Sequence, residues 1–490
     1  EFRERKEDIE FLLLINCGID INIRKFLDLN RSQKIYIIDY RRPINLKNLY
    51  DPQNIYLLLG DSNLKDIPPE DIVLANADKR IANSDWFNRR KEAILKYKSF
   101  ITYGEPTSYL LFKLACKLGK ESIELLWYCV ISLTSQFLSK KIDKSVYREI
   151  LDQMEMYCSN LNATDSESID VHSIYSSNIL RLCFYKHWNA YSSITNTIEI
   201  ASLFRLFCER GKDRLDEFLA KLGISLTDSH QKFNSMDDEL KKIFDKIFLK
   251  HLPEHGFHVN EFFIECFIVK YGFGNAVSTI DMHYICKCIF EDTLLVSDTS
   301  SSMETNFIKT VDLLGLSLTQ QYDSIIKKAT MHLEKVTSLI QYLIDAQYVL
   351  KFKDIFFYCS LKSDFTIQNK LLWNSTFIAN FSYLLYTAFM SCRQSNPVAE
   401  KPFILTVNEA EEKIEKDALV DVPNHYSIIY GFIPRKKSQS NRNISFKQIF
   451  KQAAFDTGIK FQLPYINQSI IRINSNDQLK LLTTVSRMLV

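Results

Sequence analysis

Two polar residues, Asn16 and Asp39, stand where two apolar runs of the chain end, at Phe11–Ile15 and Ile35–Ile38. Ligands of open α/β sheets lie beyond the carboxyl ends of the strands, so chemistry is expected at these positions. Hard divalent cations require several oxygen ligands, and the amide of Asn16 is a poor substitute for a carboxylate in such a set. Arg41 follows two residues after Asp39, and its guanidinium repels a cation and has no lone pair to offer. The residue types therefore argue against a metal centre.

The elements that position these side chains are predicted to form a βαβ unit. Both runs are continuously apolar, which is typical of buried parallel strands. The segment Ile19–Arg31 between them has room for a helix, and Ile55–Leu59 predicts a third buried strand. Within this unit Asp39 is expected to pair with Arg41 or Arg42, or to cap the turn that follows, and the sequence does not choose between these roles.

The middle of the chain is predicted to be helical. Gly211 and Gly223 interrupt the apolar periodicity and are interpreted as residues that end helices. Asn260–Phe290 is predicted to be all-helical, and Leu318–Leu350 is predicted to form one helix of roughly 50 Å that connects domains. Strand patterns return in a smaller C-terminal α/β region, at Ile355–Leu361, Phe403–Val407 and Tyr426–Phe432.

Composition excludes several classes of protein. The 490 residues carry a formal net charge of +2, so any contact with nucleic acid must use local basic patches. The eleven cysteines are scattered and odd in number, which indicates reduced thiols in the cytosol or nucleus. No apolar segment reaches the roughly 20 residues of a membrane span, and the charged start is unlike a signal peptide.

A series of short motifs runs along the chain. They are Leu-Ile-Asn-Cys-Gly (14–18), Asp-Tyr-Arg-Arg-Pro-Ile-Asn (39–45), Asn-Leu-Tyr (48–50), Leu-Trp-Tyr-Cys-Val-Ile-Ser-Leu-Thr (126–134), Leu-Arg-Leu-Cys-Phe-Tyr-Lys-His-Trp (180–188), Arg-Leu-Asp-Glu-Phe-Leu-Ala-Lys-Leu-Gly (214–223), Gln-Lys-Phe-Asn-Ser-Met-Asp (231–237) and Phe-Tyr-Cys-Ser-Leu (357–361). In this order the chain resembles the eukaryotic cell division control protein 45 family, replication factors related to the RecJ-like DHH phosphoesterases.

The resemblance implies an α/β fold of four parts. An N-terminal DHH-like domain with a parallel sheet is expected at 1–210, and an inserted all-helical region that interacts with MCM and GINS at 211–300. A linker and a long connecting helix are expected at 301–350, and a smaller DHH-associated α/β domain at 351–490. The family has a further strand and an Asp-containing turn before Phe11–Ile15, and that first motif is expected to lie upstream of this sequence.

The resemblance also assigns the site positions. Catalytic DHH relatives hold two Mn²⁺ ions that activate water for attack on a phosphodiester. Carried over to this chain, Asn16 stands in place of a ligating Asp, Arg41 in place of a His, and Ser135 in place of a later Asp. Asp39 alone keeps a carboxylate. The resemblance therefore implies a vestigial site without catalytic residues, metal or cofactor.

The implied function is that of a scaffold and not of an enzyme. The chain is expected to join the MCM hexamer, through its subunits 2 and 5, and the GINS tetramer in the nuclear replicative helicase, together with replication initiation loading factors. It would keep the MCM ring closed and hold single-stranded DNA. No contact with a membrane is expected. Two alternatives stay open: a Mn²⁺-dependent single-strand exonuclease that uses Asp39 and upstream ligands, and a single-strand-binding module that acts without the helicase.

Two sets of residues are candidates for these contacts. Cations on the two walls of an expected cleft between domains are candidates for single-stranded DNA: Arg41, Arg42 and Lys47 on one wall, and Arg435, Lys436, Lys437 and Arg442 on the other. A dense aromatic stripe in the inserted region is the candidate partner interface: Phe262, Phe263, Phe267 and Tyr271. The sequence does not separate core from interface in this stripe.

Overall fold

The structure is a computed structural model that describes residues 9–28, 33–50, 54–60, 67–74, 84–164, 173–271, 275–291, 303–315, 322–362, 370–393, 401–408, 426–434, 443–444, 446–463 and 469–489. The chain divides into two compact units. Unit 1 comprises residues 1–164 and 435–448, and unit 2 comprises residues 165–434 and 449–490. The domain boundaries predicted at residues 210, 300 and 350 remain predictions. None of the described helices is both long enough and apolar enough to cross a membrane.

Unit 1 is an α/β assembly, as predicted. Its elements are β1 (Phe11–Ile15), α1 (Ile23–Leu27), β2 (Lys34–Ile38), β3 (Arg41–Arg42), α2 (Leu46–Leu49), β4 (Ile55–Leu58), α3 (Glu70–Leu74), α4 (Ser84–Ser99), β5 (Phe100–Tyr103), α5 (Thr107–Lys117), α6 (Ile123–Leu138), α7 (Lys144–Thr164) and the late strand β13 (Asn443–Ile444).

The predicted βαβ unit is confirmed, with one correction. Strands β1, β2 and β4 form a parallel sheet in the order β1-β2-β4, and Leu14 lies opposite Ile37. One face packs on a small core formed by Ile19, Ile23, Ile35, Ile37 and Ile44. The other face is open to solvent and exposes Phe11, Leu13, Ile15, Tyr36, Tyr56 and Leu58. The strands are therefore covered on one face of the described sheet, although their continuous apolar sequence predicts burial on both.

Unit 2 contains the helical middle and the C-terminal sheet. Its helical middle comprises β6 (Ser173–Leu180), α8 (Ala190–Asn196), α9 (Ile198–Leu203), α10 (Gly211–Lys221), α11 (Leu226–His230), α12 (Asp238–His251), α13 (Val259–Phe262), β7 (Phe263–Tyr271), β8 (Asn275–Ser278), α14 (Thr279–Glu291), α15 (Met303–Leu314) and α16 (Tyr322–Asp345). The C-terminal part comprises β9 (Val349–Phe352), β10 (Phe356–Leu361), α17 (Ser375–Cys392), β11 (Phe403–Asn408), β12 (Tyr426–Phe432), α18 (Phe446–Thr457), β14 (Phe461–Gln462), β15 (Ile470–Asn474) and α19 (Gln478–Met488). Helix α18 belongs to unit 2 from residue 449 onward.

The inserted region is not all-helical, which corrects the prediction for Asn260–Phe290. Strand β7 pairs antiparallel with β6 and with β8 in a three-stranded sheet. Phe262 and Phe263 pack in the aromatic core beneath α10 and α12, and Phe267 is equally buried. These three side chains are core residues, which corrects their prediction as partner contacts. Tyr271 lies in β7, and its side chain is outside the described residues.

The long helix is shorter than predicted, whereas the strands of the C-terminal sheet lie close to their predicted positions. Helix α16 ends at Asp345, because Val349 and Leu350 already belong to β9, and its 24 residues span about 36 Å. It lies wholly within unit 2. The C-terminal strands form one mixed sheet in the order β14-β15-β12-β11-β10-β9, and among the described strands β10 and β11 are parallel.

A half-buried carboxylate in unit 2 gives a test of pH dependence. Asp245 on α12 accepts a hydrogen bond from the Tyr185 hydroxyl at 3.3 Å, and burial raises the pKa of Asp245. The folded state therefore holds this proton to a higher pH than the unfolded state does, so stability falls as pH rises through that window. We expect Asp245→Asn to remove this loss and to stabilise unit 2 at neutral pH by up to about 1 kcal/mol.

Urea unfolding of the wild type and of Asp245→Asn at a series of pH values tests this expectation. As the pH rises from about 4, the ordinary range of aspartate, the stability difference in favour of the variant should grow, and it should level off once Asp245 is ionised in the folded state. Stability curves that stay parallel over this range would contradict it.

Candidate functional site

The candidate site lies at the carboxyl ends of β1 and β2, where Asn16 follows the first strand. The Asn16 amide donates to the Ile38 carbonyl at 2.8 Å and extends the strand pairing by one residue. Asn16 then turns into the left-handed region with a φ of 53°, and Gly18 has a φ of 88°. A Cβ added at Gly18 would lie 2.8 Å from the Ile23 side chain, so glycine lets this loop close over the core.

The Asp39 carboxylate is fully buried and is held by Arg41. The Arg41 Nε lies 3.2 Å from both carboxylate oxygens, and Nη2 donates to Oδ2 at 2.9 Å. The Arg41 backbone N–H also donates to Oδ1 at 2.9 Å. Asp39 thus both pairs with Arg41 and caps the turn, two of the roles that the sequence left open. Burial alone would lower the pKa of Arg41, but the hydrogen bonds and the charge of Asp39 raise it overall.

The same guanidinium joins the two strand ends. Arg41 Nη2 donates to the Asn16 backbone carbonyl at 2.7 Å, so one cation contacts the end of β1 and the carboxylate that follows β2. The Arg41 side chain is 22% exposed and the Asp39 side chain is 0% exposed. The negative charge of Asp39 is therefore balanced within the protein.

Arg42 is a buried structural residue, which corrects its prediction as a contact for single-stranded DNA. Its Nη1 donates to the backbone carbonyls of Asp39 at 3.0 Å and of Arg41 at 2.9 Å. Burial lowers the pKa of Arg42. The side chain is only 7% exposed, so its guanidinium braces this turn and does not present a charge to a phosphate.

A residue that the sequence analysis missed completes the site. The Thr107 hydroxyl, at the first position of α5, donates to the Asn16 side-chain oxygen at 2.5 Å. Thr107 is 91 residues away along the chain, and no spacing in the sequence links it to Asn16. The amide oxygen of Asn16 is therefore engaged by a hydroxyl from the protein itself.

Asn48 anchors the loop that carries Asn16. Its side chain is fully buried, and its Nδ2 donates to the carbonyls of Gly18 at 3.1 Å and Ile21 at 2.6 Å. Its Oδ1 accepts from the Ile23 amide at 3.2 Å. One side chain thus satisfies three backbone groups of this loop. The signal that could have found it is its place in the Asn-Leu-Tyr motif.

We expect Asn48→Ala to destabilise unit 1 by about 2 kcal/mol, because it leaves buried backbone groups without their partner. Hydrogen exchange should show faster exchange of the Ile23 amide and its neighbours. Asn22→Ala is the matched control, because Asn22 caps the exposed start of α1 through a single bond to the Lys25 amide at 3.2 Å. That variant should cost about 1 kcal/mol or less. Equal losses for the two variants would contradict this role of Asn48.

The remaining predicted site residues lie elsewhere or outside the description. Ser135 is half-buried on α6. Lys47 is exposed on the short helix α2, where its amide bonds to the Asn45 side chain. The basic residues predicted for the second wall lie outside the described residues: Arg435, Lys436, Lys437 and Arg442.

The residues of this site do not fit the two Mn²⁺ ions that the resemblance to catalytic DHH relatives would imply. Hard divalent cations need several converging oxygen or imidazole ligands. Here the buried carboxylate is bonded to a guanidinium, and the neighbouring amide oxygen accepts from Thr107. Across the described part of the chain, no three His, Cys, Asp or Glu side chains converge as a ligand set.

Comparisons with known proteins agree with the resemblance. A family model described as CDC45 matches residues 1–85 and 74–488. The cell division control protein 45 homolog of Homo sapiens is 23% identical over 524 residues, covering 100% of this chain and 89% of that protein. The homolog of Schizosaccharomyces pombe is 25% identical over 351 residues, covering 59% of this chain and 55% of that protein.

A solved structure supports the fold. The crystal structure of CDC45 from Entamoeba histolytica matches with a TM-score of 0.68 at 20% sequence identity, covering 98% of this chain and 85% of that chain. This likeness confirms the α/β fold class. Because the family model spans almost the whole sequence, the chain belongs to the CDC45 family.

Proposed function

We propose that this chain is a DNA replication factor that acts as a non-catalytic subunit of the nuclear replicative helicase. It joins the MCM hexamer and the GINS tetramer during initiation and elongation. Its binding free energy favours the closed, translocating state of the MCM ring, while ATP hydrolysis stays with MCM. Membership in the CDC45 family and the family resemblance support the assignment of these partners.

The observation that carries the non-catalytic part of the proposal is the contact between Arg41 and Asp39. Metal-assisted hydrolysis needs cations that polarise the phosphoryl group and activate water. At this site a fixed guanidinium already neutralises the buried Asp39 carboxylate, at 2.9 Å. A divalent cation would have to displace it against charge repulsion. The retained-exonuclease alternative therefore has little support from the described residues.

An unusual helix supports a role in assembly. Helix α15 turns its polar residues Asn306 and Thr310 inward, and the Asn306 amide reaches the Ile289 carbonyl of α14 at 3.5 Å. Its apolar residues Phe307, Ile308 and Val311 are exposed. A surface helix normally faces the core with its apolar side. We propose this outward apolar face, and not the buried Phe262, Phe263 and Phe267, as a contact with the helicase.

Reconstitution tests the proposed function. Purified MCM ring and GINS are mixed with and without this chain, and co-sedimentation and ATP-driven unwinding of a forked duplex are measured. A stable ternary complex with strongly increased unwinding is expected. If the folded chain forms no complex with MCM and GINS, the proposal is contradicted.

Variants of α15 refine this test. Phe307→Ser, Ile308→Ser and Val311→Ser together should weaken the complex at least tenfold, because they remove apolar area from the proposed contact. Leu479→Ser is the matched control, since Leu479 is an exposed leucine on α19, and it should leave assembly unchanged. Equal binding by both variants would exclude α15 from the interface.

Two titrations address the alternatives. Calorimetry of the wild type with Mn²⁺ should show no tight binding, whereas a tight two-site isotherm would favour the exonuclease. Single-stranded DNA should bind the isolated chain weakly, because Arg41 is neutralised by Asp39 and Arg42 is buried. Strong binding that falls steeply with salt would favour a module that acts without the helicase.

A further inference from the structure

The positive charge that bridges the ends of β1 and β2 is the guanidinium of Arg41. A hard divalent cation binds by holding several carboxylate and carbonyl oxygen atoms together. Here the Arg41 guanidinium contacts both oxygens of the Asp39 carboxylate and the Asn16 carbonyl oxygen. The Asp20 carboxylate lies close enough to add to the attraction on the Arg41 charge.

We propose that the Arg41 guanidinium is a built-in replacement for a metal ion, and that it stabilises the strand ends of unit 1 by neutralising Asp39. Arg41 is thus a positioning residue that keeps the Asn16 loop closed without any divalent ion. The proposal concerns the stability of this chain, so it stands or falls independently of the helicase assignment.

The geometry explains why a guanidinium suits this position. A planar fork with several donors can meet a carboxylate and a backbone carbonyl at once, whereas an ammonium is a point charge. The side chain is anchored at its own backbone too, because the Arg41 N–H bonds to the same carboxylate. Asp39 is fully buried, so a missing cation would leave an uncompensated charge inside the protein.

Thermal unfolding of the 490-residue chain tests the proposal. Arg41→Ala should lower the midpoint of the unit 1 transition by about 5–10 °C, since it leaves the buried Asp39 charge unpaired. Arg41→Lys keeps the charge but loses the fork, and its loss should be smaller. Lys47→Ala removes an exposed cation from the nearby helix α2 and should leave the midpoint unchanged.

Two further measurements separate cation replacement from ordinary loss of packing. Adding Asp39→Asn to Arg41→Ala should recover most of the lost midpoint, because the unpaired charge is then gone. Guanidinium ion at millimolar concentration, far below denaturing levels, should raise the midpoint of Arg41→Ala, while neutral urea at the same concentration should not. The double variant should not respond to guanidinium.

Mn²⁺ provides the last comparison. It should raise the midpoint of Arg41→Ala, where the oxygen atoms of Asp39 and Asn16 are released, and leave the wild type unchanged. The proposal is wrong if Arg41→Ala unfolds at the wild-type midpoint. It is also wrong if guanidinium and urea act alike, if Asp39→Asn fails to recover stability, or if Mn²⁺ stabilises wild type and variant equally.

Discussion

Replacing Gly211 with alanine is expected to destabilise unit 2 by about 3 kcal/mol or more. A Cβ at this position would lie 2.0 Å from the Arg205 carbonyl oxygen and 2.5 Å from the Leu206 Cα. Neither atom can move freely, because the Arg205 carbonyl accepts from the Cys208 amide at 3.1 Å and the Leu206 amide donates to the Ala201 carbonyl at 3.0 Å. The added Cβ would clash with backbone atoms that are held by hydrogen bonds. Helix α10 would therefore have to move away from the core against which it packs.

Gly223 provides the control for this experiment. It has a φ of 73°, and a Cβ there would meet nothing within 4 Å, so Gly223→Ala pays only for the left-handed backbone, about 1 kcal/mol. Urea unfolding followed by circular dichroism should rank Gly211→Ala well below Gly223→Ala in stability. The opposite order would show that the contact at Gly211 relaxes easily.

These two glycines show what sequence reasoning could and could not supply. The sequence predicts that both glycines end helices. For Gly223 this is confirmed, since it follows α10 in the left-handed region. Gly211 instead begins α10, and the left-handed residue after α9 is Arg205, with a φ of 58°. A glycine signals that a side chain is not tolerated, but the sequence does not say whether the reason is backbone conformation or a close neighbour.

The parallel sheet was predictable because apolar runs and their order along the chain determine it locally. Strand β7 was not, because the run Phe263–Tyr271 places apolar residues on both faces and, with Glu265 and Lys270 on opposite faces, carries no alternation that separates a buried strand from a buried helix. The open face of the first sheet was also beyond prediction. An apolar run indicates a strand, but which face is covered depends on distant parts of the chain.

The contacts of the candidate site were likewise only partly predictable from the sequence. The pairing of Asp39 with Arg41 was one of the roles that the sequence left open, because both groups lie within the same turn. The contribution of Thr107 depends on the fold placing the start of α5 next to Asn16, and no local pattern encodes that. The burial of Arg42 likewise depends on its neighbours in the fold, so charge alone overstated the cations available to a phosphate.

The second large effect is expected at a buried polar contact that joins three helices of unit 2. Glu291, at the end of α14, accepts from the Asn380 side chain of α17 at 2.7 Å, and its other oxygen lies 3.4 Å from Nε2 of His332 on α16. The side chains of Glu291 and His332 are 4% and 1% exposed. The adjacent Asn374 amide bonds to the Phe290 carbonyl at 2.8 Å and fixes the end of α14.

We expect Glu291→Ala to destabilise unit 2 by about 3–5 kcal/mol, because it removes the shared partner of the buried His332 and the half-buried Asn380 and leaves a cavity between the helices. Glu291→Gln keeps the volume and an acceptor for Asn380, so it should cost less. Glu334→Ala removes an exposed carboxylate from the same helix as His332 and serves as the control, with little change expected. Urea unfolding gives the magnitudes, and hydrogen exchange should show faster opening of α14, α16 and α17 together in Glu291→Ala. If exchange rises in α14 alone, Glu291 holds only its own helix end, and the three helices are joined by their apolar contacts instead.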